Sequence, residues 1–280
     1  MGSDLNRYFS RMGVRVKVFE DVPAAGRGNL AGSREEAPRM VLDIRRDKIG
    51  EFFEIRTAPG GLQEVVVLNV QPREKHLLLL SRQFDEQGRF LAKQKFLCGH
   101  DERHWFVCAV PGASVSNVIS AMEALQPSEV RAAVGRKIKR TKDRLRRRNE
   151  AFVRQGEWFF VPAPELCVNP KLVLKNEPIS RGRGGKPHMC QFLYRTGGEL
   201  VYVCSRHPGG LLADEYASLI NSNPNAKNWG WSRMTRDAEA YVSGRVWHPD
   251  HKTVGLDGWH RVLMNTENQA PGARAVVFLD

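Results

Sequence analysis

The stretch SEVRAAVGRKIKRTKDRLRRRNEAFVRQ, residues 128–155, decides how the chain is divided. Its apolar residues recur at four- and seven-residue steps and are Val130, Val134, Ile138, Leu145 and Phe152. This spacing is typical of a single apolar stripe along a helix. The next residue, Gly156, is a helix stop signal. The pattern therefore predicts one long α-helix from about Ser128 to Gln155.

Short apolar runs typical of strands lie on both sides of this helix. Between residues 14 and 110 six such runs are separated by turn signals, which predicts an antiparallel meander or small barrel. An amphipathic helix over residues 114–125 closes this part, and residues 156–280 again contain hairpins and one short helix. The sequence thus predicts an α+β protein with two β-rich domains joined by a long basic helix. The predicted boundaries are 1–126, 127–155 for the connector, and 156–280.

The charge of the chain is concentrated in the predicted connector. Residues 131–154 contain eleven Lys or Arg residues and two acidic ones, and the whole chain has a net charge of +12. Phosphates would relieve the repulsion among these cations and release counterions. We therefore expect binding to nucleic acid, either RNA or DNA, or membership of a nucleoprotein assembly. The predicted phosphate contacts are Arg136, Lys137, Lys139, Arg140, Arg144, Arg147 and Arg148.

A glycine-rich loop, SRGRGGKPH, offers further cations beside flexible backbone. Arg181, Arg183 and Lys186 are predicted to assist phosphate binding there. Trp229, Trp231 and Trp259 are aromatic residues on which unpaired bases can stack, although core packing explains them as well.

The histidine-rich stretch WHPDHKTVGLDGWH, residues 247–260, raises a second possibility. Pro249 and Asp250 suit a turn between His248 and His251, and Asp257-Gly258 suits a second hairpin turn. His260 would then lie about 13 Å from His251, too far to share one zinc ion. His248, Asp250 and His251 are the catalytic candidates of an alternative function, a metal-assisted phosphoesterase or nuclease.

A third group of candidates comes from the residues around Gly197-Gly198. If these glycines form a two-residue hairpin, His188 lies opposite His207, and Cys190 lies on the same face as His188. These three residues are weak metal-ligand candidates. The strand geometry provides no convergent four-ligand set, so no bound metal or other cofactor is predicted.

Other features limit the class of protein. The common nucleotide-binding and hydrolase motifs are absent from the sequence, so whether the protein is an enzyme stays open. The five cysteines have no CxxC spacing and suit free thiols, which predicts a cytoplasmic location. No apolar run approaches the roughly 18 residues of a membrane span, so no membrane contact is expected.

A third function hypothesis, beside nucleic-acid binding and the phosphoesterase, is a scaffold subunit whose basic helix binds an acidic partner protein.

Overall fold

The computed structural model describes residues 2–21, 40–57, 60, 62–112, 114–180 and 186–270. The chain divides into two compact units. Unit 1 comprises the residues up to Gln126 and the segment that begins at Thr266, and unit 2 comprises Pro127–Asn265. No helix in the described ranges has both the length and the apolar character needed to cross a membrane.

The described residues of unit 1 form two sheets and two helices. Its helices are α1 (Gly2–Met12) and α2 (Val118–Ala124). Its strands are β1 (Arg15–Phe19), β2 (Val41–Asp47), β3 (Gly50–Arg56), β4 (Gln63–Gln71), β5 (His76–Phe84), β6 (Phe90–Asp101) and β7 (His104–Ala109). The first sheet has the order β1-β3-β2, and the second is the predicted meander β4-β5-β6-β7.

The meander of unit 1 is covered on both faces, which explains the continuous apolar run in β5. Leu77 and Leu79 pack into one core together with Phe9 of α1 and Phe53 of β3. Leu78 points the opposite way and packs into a second core with α2. Because successive side chains in a strand alternate between faces, a run of buried leucines requires apolar partners on both sides.

The part of unit 2 that the structure describes forms a six-stranded sheet, a smaller sheet and two helices. The helices are α3 (Ser128–Lys137) and α4 (Ala213–Ser222). The strands are β8 (Val153–Gln155), β9 (Trp158–Pro162), β10 (Leu174–Ile179), β11 (His188–Thr196), β12 (Glu199–Cys204), β13 (His207–Leu211), β14 (Ser232–Arg236), β15 (Glu239–His248) and β16 (His251–Met264). The larger sheet has the order β10-β11-β15-β16-β9-β8, and the smaller one β13-β12-β14. Short 3-10 turns in the two units occupy Thr141–Asp143, Pro170–Leu172, Pro224–Asn228 and Thr266–Gln269.

The six-stranded sheet buries both of its faces at β9. Trp158 and Phe160 belong to one core with residues of β11 and β15. Phe159 belongs to another core, which it shares with Val130 and Val134 of α3. Helix α3 therefore packs against one face of the sheet through the apolar positions that the sequence identified.

The prediction of a long connecting helix is wrong. Helix α3 ends at Lys137, and Ile138 has an extended backbone with φ −107° and ψ 104°. The chain then forms the 3-10 turn Thr141–Asp143, and Arg148 pairs with Val153 as an isolated β-bridge. Residues 127–155 thus belong to unit 2 rather than forming a separate helical connector.

Repulsion between like charges disfavours a longer helix here. A continued helix would stack Arg136, Arg140, Arg144 and Arg148 at four-residue spacing, and like charges at that spacing destabilise a helix. Asn149 provides an alternative local structure, because its side chain accepts hydrogen bonds from the backbone N–H groups of Ala151 and Phe152. The predicted α+β architecture is therefore corrected to a mostly β structure, in which the described residues form sixteen strands in four sheets and four short helices.

Candidate functional site

Residues 136–148, named here the basic segment, keep several cations free of internal partners. Arg136, Lys139, Arg140 and Lys142 are exposed, and their side chains form no hydrogen bond or ion pair with any other described residue. The start of the segment is anchored to the large sheet, because Ile138 and the preceding Val134 are buried in one core with Phe159 of β9. These four side chains are consequently available to an anionic partner.

The other predicted phosphate contacts in this segment are engaged within unit 2. The Arg148 guanidinium donates to the Gly255 carbonyl at 2.6 Å, and the Lys137 ammonium donates to the Glu150 carbonyl at 3.3 Å. Arg144 and Arg147 are half-buried. Burial, and after it the nearby Arg154 guanidinium, lower the pKa of Arg147. These four side chains therefore help to hold the segment on unit 2, and they also contribute to its positive charge.

The glycine-rich loop is described only in part. Arg181 and Arg183 lie outside the described residues. Lys186 is exposed, and its ammonium forms an ion pair with the Asp250 carboxylate at 2.9 Å. Lys186 and Asp250 thereby join the glycine-rich loop to the histidine-rich turn.

Three histidines come together at one end of the large sheet, and we name His188, His248 and His251 the histidine cluster. His248 and His251 pair across the turn Pro249-Asp250, as the sequence predicted. Strand β11 lies next to β15 with Met189 opposite Trp247. The next step along these antiparallel strands brings His188 to His248. A two-residue turn and one neighbouring strand thus build the cluster.

The three rings are in close contact. The His188 ring centroid lies 4.3 Å from that of His248 and 5.4 Å from that of His251, and the last two centroids are 4.9 Å apart. One ring nitrogen from each histidine lies within 4.8 Å of the other two. The rings are nearly parallel, with angles of 19–33° between their planes.

The environment of His188 keeps its ring neutral. The side chain is 2% exposed, and neither ring nitrogen has a hydrogen-bond partner among the described residues. Burial, and after it the neighbouring His248 and His251, lower the pKa of His188 to about 3, and Asp250 opposes the shift. A buried polar group without a partner typically costs about 1–3 kcal/mol. A ligand that binds a ring nitrogen of His188 would remove this cost.

The hydrogen bonds of His248 fix its tautomer. Its Nδ1 atom accepts the Asp250 N–H at 3.1 Å, so this nitrogen carries a lone pair. The Nε2 atom lies 3.1 Å from the Lys186 carbonyl oxygen, to which Nε2–H donates. A lone pair on one ring nitrogen and a backbone carbonyl on the other is the usual arrangement of a metal-binding histidine.

Gly156 borders the cluster, and its lack of a side chain lets two of the rings lie close to its backbone. An ideal Cβ atom placed on Gly156 would lie 2.8 Å from Nε2 of His251 and 3.4 Å from Nε2 of His188. Two imidazole nitrogens therefore approach the same small volume. The residue also has φ +56°, which favours glycine.

The remaining metal candidates lie apart from this group. Strands β11 and β12 belong to different sheets, so the predicted pairing of His188 with His207 across Gly197-Gly198 is wrong. His207 instead stacks on Trp229 and Trp231, with centroids 6.0 and 5.6 Å away.

Cys190 and His260 do not join the cluster either. Cys190 is fully buried, and burial raises the pKa of its thiol to about 12. His260 pairs with Val242 in the middle of the sheet, and its Nδ1 contacts the Gly258 carbonyl. The predicted hairpin at Asp257-Gly258 is wrong, because β16 continues through these residues with an irregularity in its pairing.

The tryptophans proposed for base stacking are half-buried. Trp229 and Trp231 lie in one stack with His207, and the Arg206 guanidinium lies 4.2 Å from the Trp229 ring centroid. The faces of the Trp229 and Trp231 rings are therefore partly covered by contacts within unit 2, which leaves less ring surface for stacking on bases.

Comparison with protein-family models, with curated proteins and with solved structures finds no match for this chain. The site is therefore interpreted from its own geometry and chemistry.

Proposed function

We propose that the protein binds nucleic acid through the basic segment. The observation that supports this is the group of four exposed cations, Arg136, Lys139, Arg140 and Lys142, without internal partners among the described residues. Charge that only keeps a protein soluble is usually mixed in sign over the surface. Here four cations lie within seven residues of one another on a segment whose apolar side is buried.

Phosphate is the anion that fits this arrangement best. Each phosphate neutralised by Lys or Arg releases condensed counterions, and this term supplies most of the affinity of sequence-independent binding. Contacts of this kind position a nucleic acid without reading its bases. The proposal therefore predicts binding to RNA and DNA with little sequence preference.

The test compares two variants that lose the same charge. One replaces Arg136, Lys139, Arg140 and Lys142 by Gln, and the control replaces four exposed cations of unit 1 by Gln. The control residues are Arg7, Arg11, Arg46 and Lys48. Surface substitutions of this kind change stability by less than about 0.5 kcal/mol each, so both variants should fold.

Fluorescence anisotropy with labelled single-stranded RNA, single-stranded DNA and duplex DNA measures the binding at several salt concentrations. If all four cations contact duplex phosphates, the slope of log K against log salt should become shallower by about 3.6, or by about 2.8 on single strands. The control should retain the original slope. Equal losses in both variants would show that only the net charge of the chain matters.

A metal-assisted phosphoesterase or nuclease is the second candidate function, and the histidine cluster favours it. The cluster and the basic segment both belong to unit 2. In this candidate function the basic segment would bind the phosphate backbone, and the metal held by the cluster would act on one phosphodiester. Hydrolysis of bis(p-nitrophenyl) phosphate with added Zn²⁺ tests this candidate. Activity that disappears in the His251→Gln variant would support it, whereas no hydrolysis above a metal-only control would contradict it.

A further inference from the structure

We infer that His188, His248 and His251 form a binding site for a divalent transition metal of the zinc class. The inference is independent of nucleic-acid binding, and it is a precondition of the phosphoesterase candidate. It rests on three observations: the approach of three imidazoles, the polar atoms left without partners around them, and the close approach of His188 and His251 to the backbone of Gly156.

The approach of the nitrogens comes near to what a metal needs. Zn–N bonds are about 2.0–2.1 Å, so two nitrogens on one tetrahedral zinc ion lie about 3.3 Å apart. The corresponding atoms here lie within 4.8 Å of each other. His248 and His251 are half-buried and flank a two-residue turn. Small rotations of these two rings, from stacked to convergent, would close the remaining distance.

Polar atoms without hydrogen-bond partners surround the cluster. Among the described residues both ring nitrogens of His188, the side-chain oxygen of Gln155 and the indole N–H of Trp158 have none. Gln155 donates to the Lys252 carbonyl next to His251, and Trp158 meets His188 at a centroid distance of 6.4 Å. Buried polar atoms that lack partners indicate an ion or water that belongs to the site.

The donor set decides which metal fits. Three neutral imidazoles suit zinc, nickel, copper or iron, whereas magnesium and calcium require oxygen ligands. The carboxylate of Asp250, in the turn between His248 and His251, is already paired with Lys186. With Nε2–H of His248 held by the Lys186 carbonyl, Nδ1 would bind the metal and release the Asp250 N–H.

A site with three histidine ligands leaves one position of the tetrahedron open. In zinc sites of this composition the fourth ligand is water or an anionic oxygen of a substrate. The inferred site therefore belongs to the reactive type rather than to closed four-ligand structural sites.

The first experiment titrates the chelator-treated full chain with Zn²⁺ by calorimetry and with Co²⁺ by visible absorption, without nucleic acid. The expected result is one Zn²⁺ per chain and a Co²⁺ spectrum of a four-coordinate site, with no binding of Mg²⁺. Absence of Zn²⁺ binding to the folded protein would overturn the inference and leave nucleic-acid binding unaffected.

The second experiment assigns the ligands. His248→Gln and His251→Gln should each weaken Zn²⁺ binding at least tenfold, because even the loss of a residue that only orients a ligand typically costs about 10- to 100-fold. His207→Gln is the matched control, since His207 is also half-buried in unit 2 but stacks on tryptophans. His188 is buried, so its variant is used only if circular dichroism shows the native fold. An equal loss in His207→Gln, or no loss in either cluster variant, would contradict the site.

Discussion

Replacing Gly156 by Ala tests the histidine cluster without removing any of its side chains. Two effects are expected. The backbone at Gly156 has φ +56°, where a non-glycine residue typically costs about 1–2 kcal/mol. The new methyl group would also lie 2.8 Å from Nε2 of His251, compared with about 3.5 Å for an ordinary contact.

Gly197→Ala separates these two effects. Gly197 has φ +69°, and a Cβ atom there would meet nothing within 4 Å. It therefore carries the backbone cost alone. In Gly156→Ala the His251 ring must also move by about 0.7 Å, and turning a side chain about 30° away from its rotamer costs about 0.5–1.5 kcal/mol. Gly156→Ala should accordingly be less stable than Gly197→Ala by about 1 kcal/mol.

The effect on metal binding should be larger than the effect on stability. A methyl group 2.8 Å from Nε2 of His251 hinders the rotation by which that nitrogen would turn towards a shared ion, and losing a group that orients a ligand typically costs about 10- to 100-fold, so Zn²⁺ binding should weaken at least tenfold. Urea unfolding of the chelator-treated variants measures the stability, and competition with a chromophoric chelator measures the affinity. If the two alanine variants have the same stability and the same Zn²⁺ affinity, the placement of His251 against Gly156 is wrong.

Two further predictions concern titratable groups. Chelator-treated protein should lose about 2 kcal/mol of unfolding free energy between about pH 7 and about pH 5, because His188 takes up a proton near pH 6.5 when unfolded but only near pH 3 when folded. This contribution is complete above the unfolded pKa and is lost as the pH falls. The free energy of urea unfolding of the His188→Leu variant should therefore depend less on pH than that of the unmodified protein. An unchanged pH dependence would contradict the burial of a neutral ring. At about pH 8 a thiol reagent should modify the exposed Cys167 quickly and the buried Cys98 and Cys190 only on unfolding, since burial raises the pKa of both buried thiols. Equal labelling rates at Cys167 and Cys190 in the folded protein would refute this.

Much of unit 1 is predictable because its signals are local. The run at residues 76–84 is bounded by turn residues and forms β5 with the same limits. Helix α2 follows from the three- and four-residue spacing of its apolar residues. Helix α1 was not predicted, although Leu5, Phe9 and Met12 are buried and have helical spacing that could have identified it.

The basic segment shows where an apolar pattern is insufficient. Val130, Val134, Ile138 and Phe152 are all buried as a helical stripe requires. The apolar pattern takes no account of the repulsion on the opposite face of the predicted helix, where arginines at four-residue spacing would lie side by side. An extended residue, a 3-10 turn and a β-bridge bury the same apolar side chains without the helical four-residue stacking of these arginines.

The histidine cluster depends on a contact that is distant in sequence. The turn at Pro249-Asp250 was predictable from its residues, so His248 and His251 could be paired. The strand next to β11 could not be predicted in the same way. Strand β15 lies roughly 50 residues further along the chain, and the glycine pair after β11 suggested a partner closer in sequence. Gly197 and Gly198 do adopt positive φ, at +69° and +82°, but they lead the chain into another sheet.

The most direct test of the proposed function is equilibrium titration of the unmodified protein with labelled RNA and DNA at about 50 mM salt, where phosphate contacts are strong. We predict saturable binding to both, with an affinity that falls steeply and linearly on a log–log plot as salt rises. No measurable binding to either nucleic acid, with the protein folded, would contradict the proposal and would indicate that the basic segment binds an acidic protein instead.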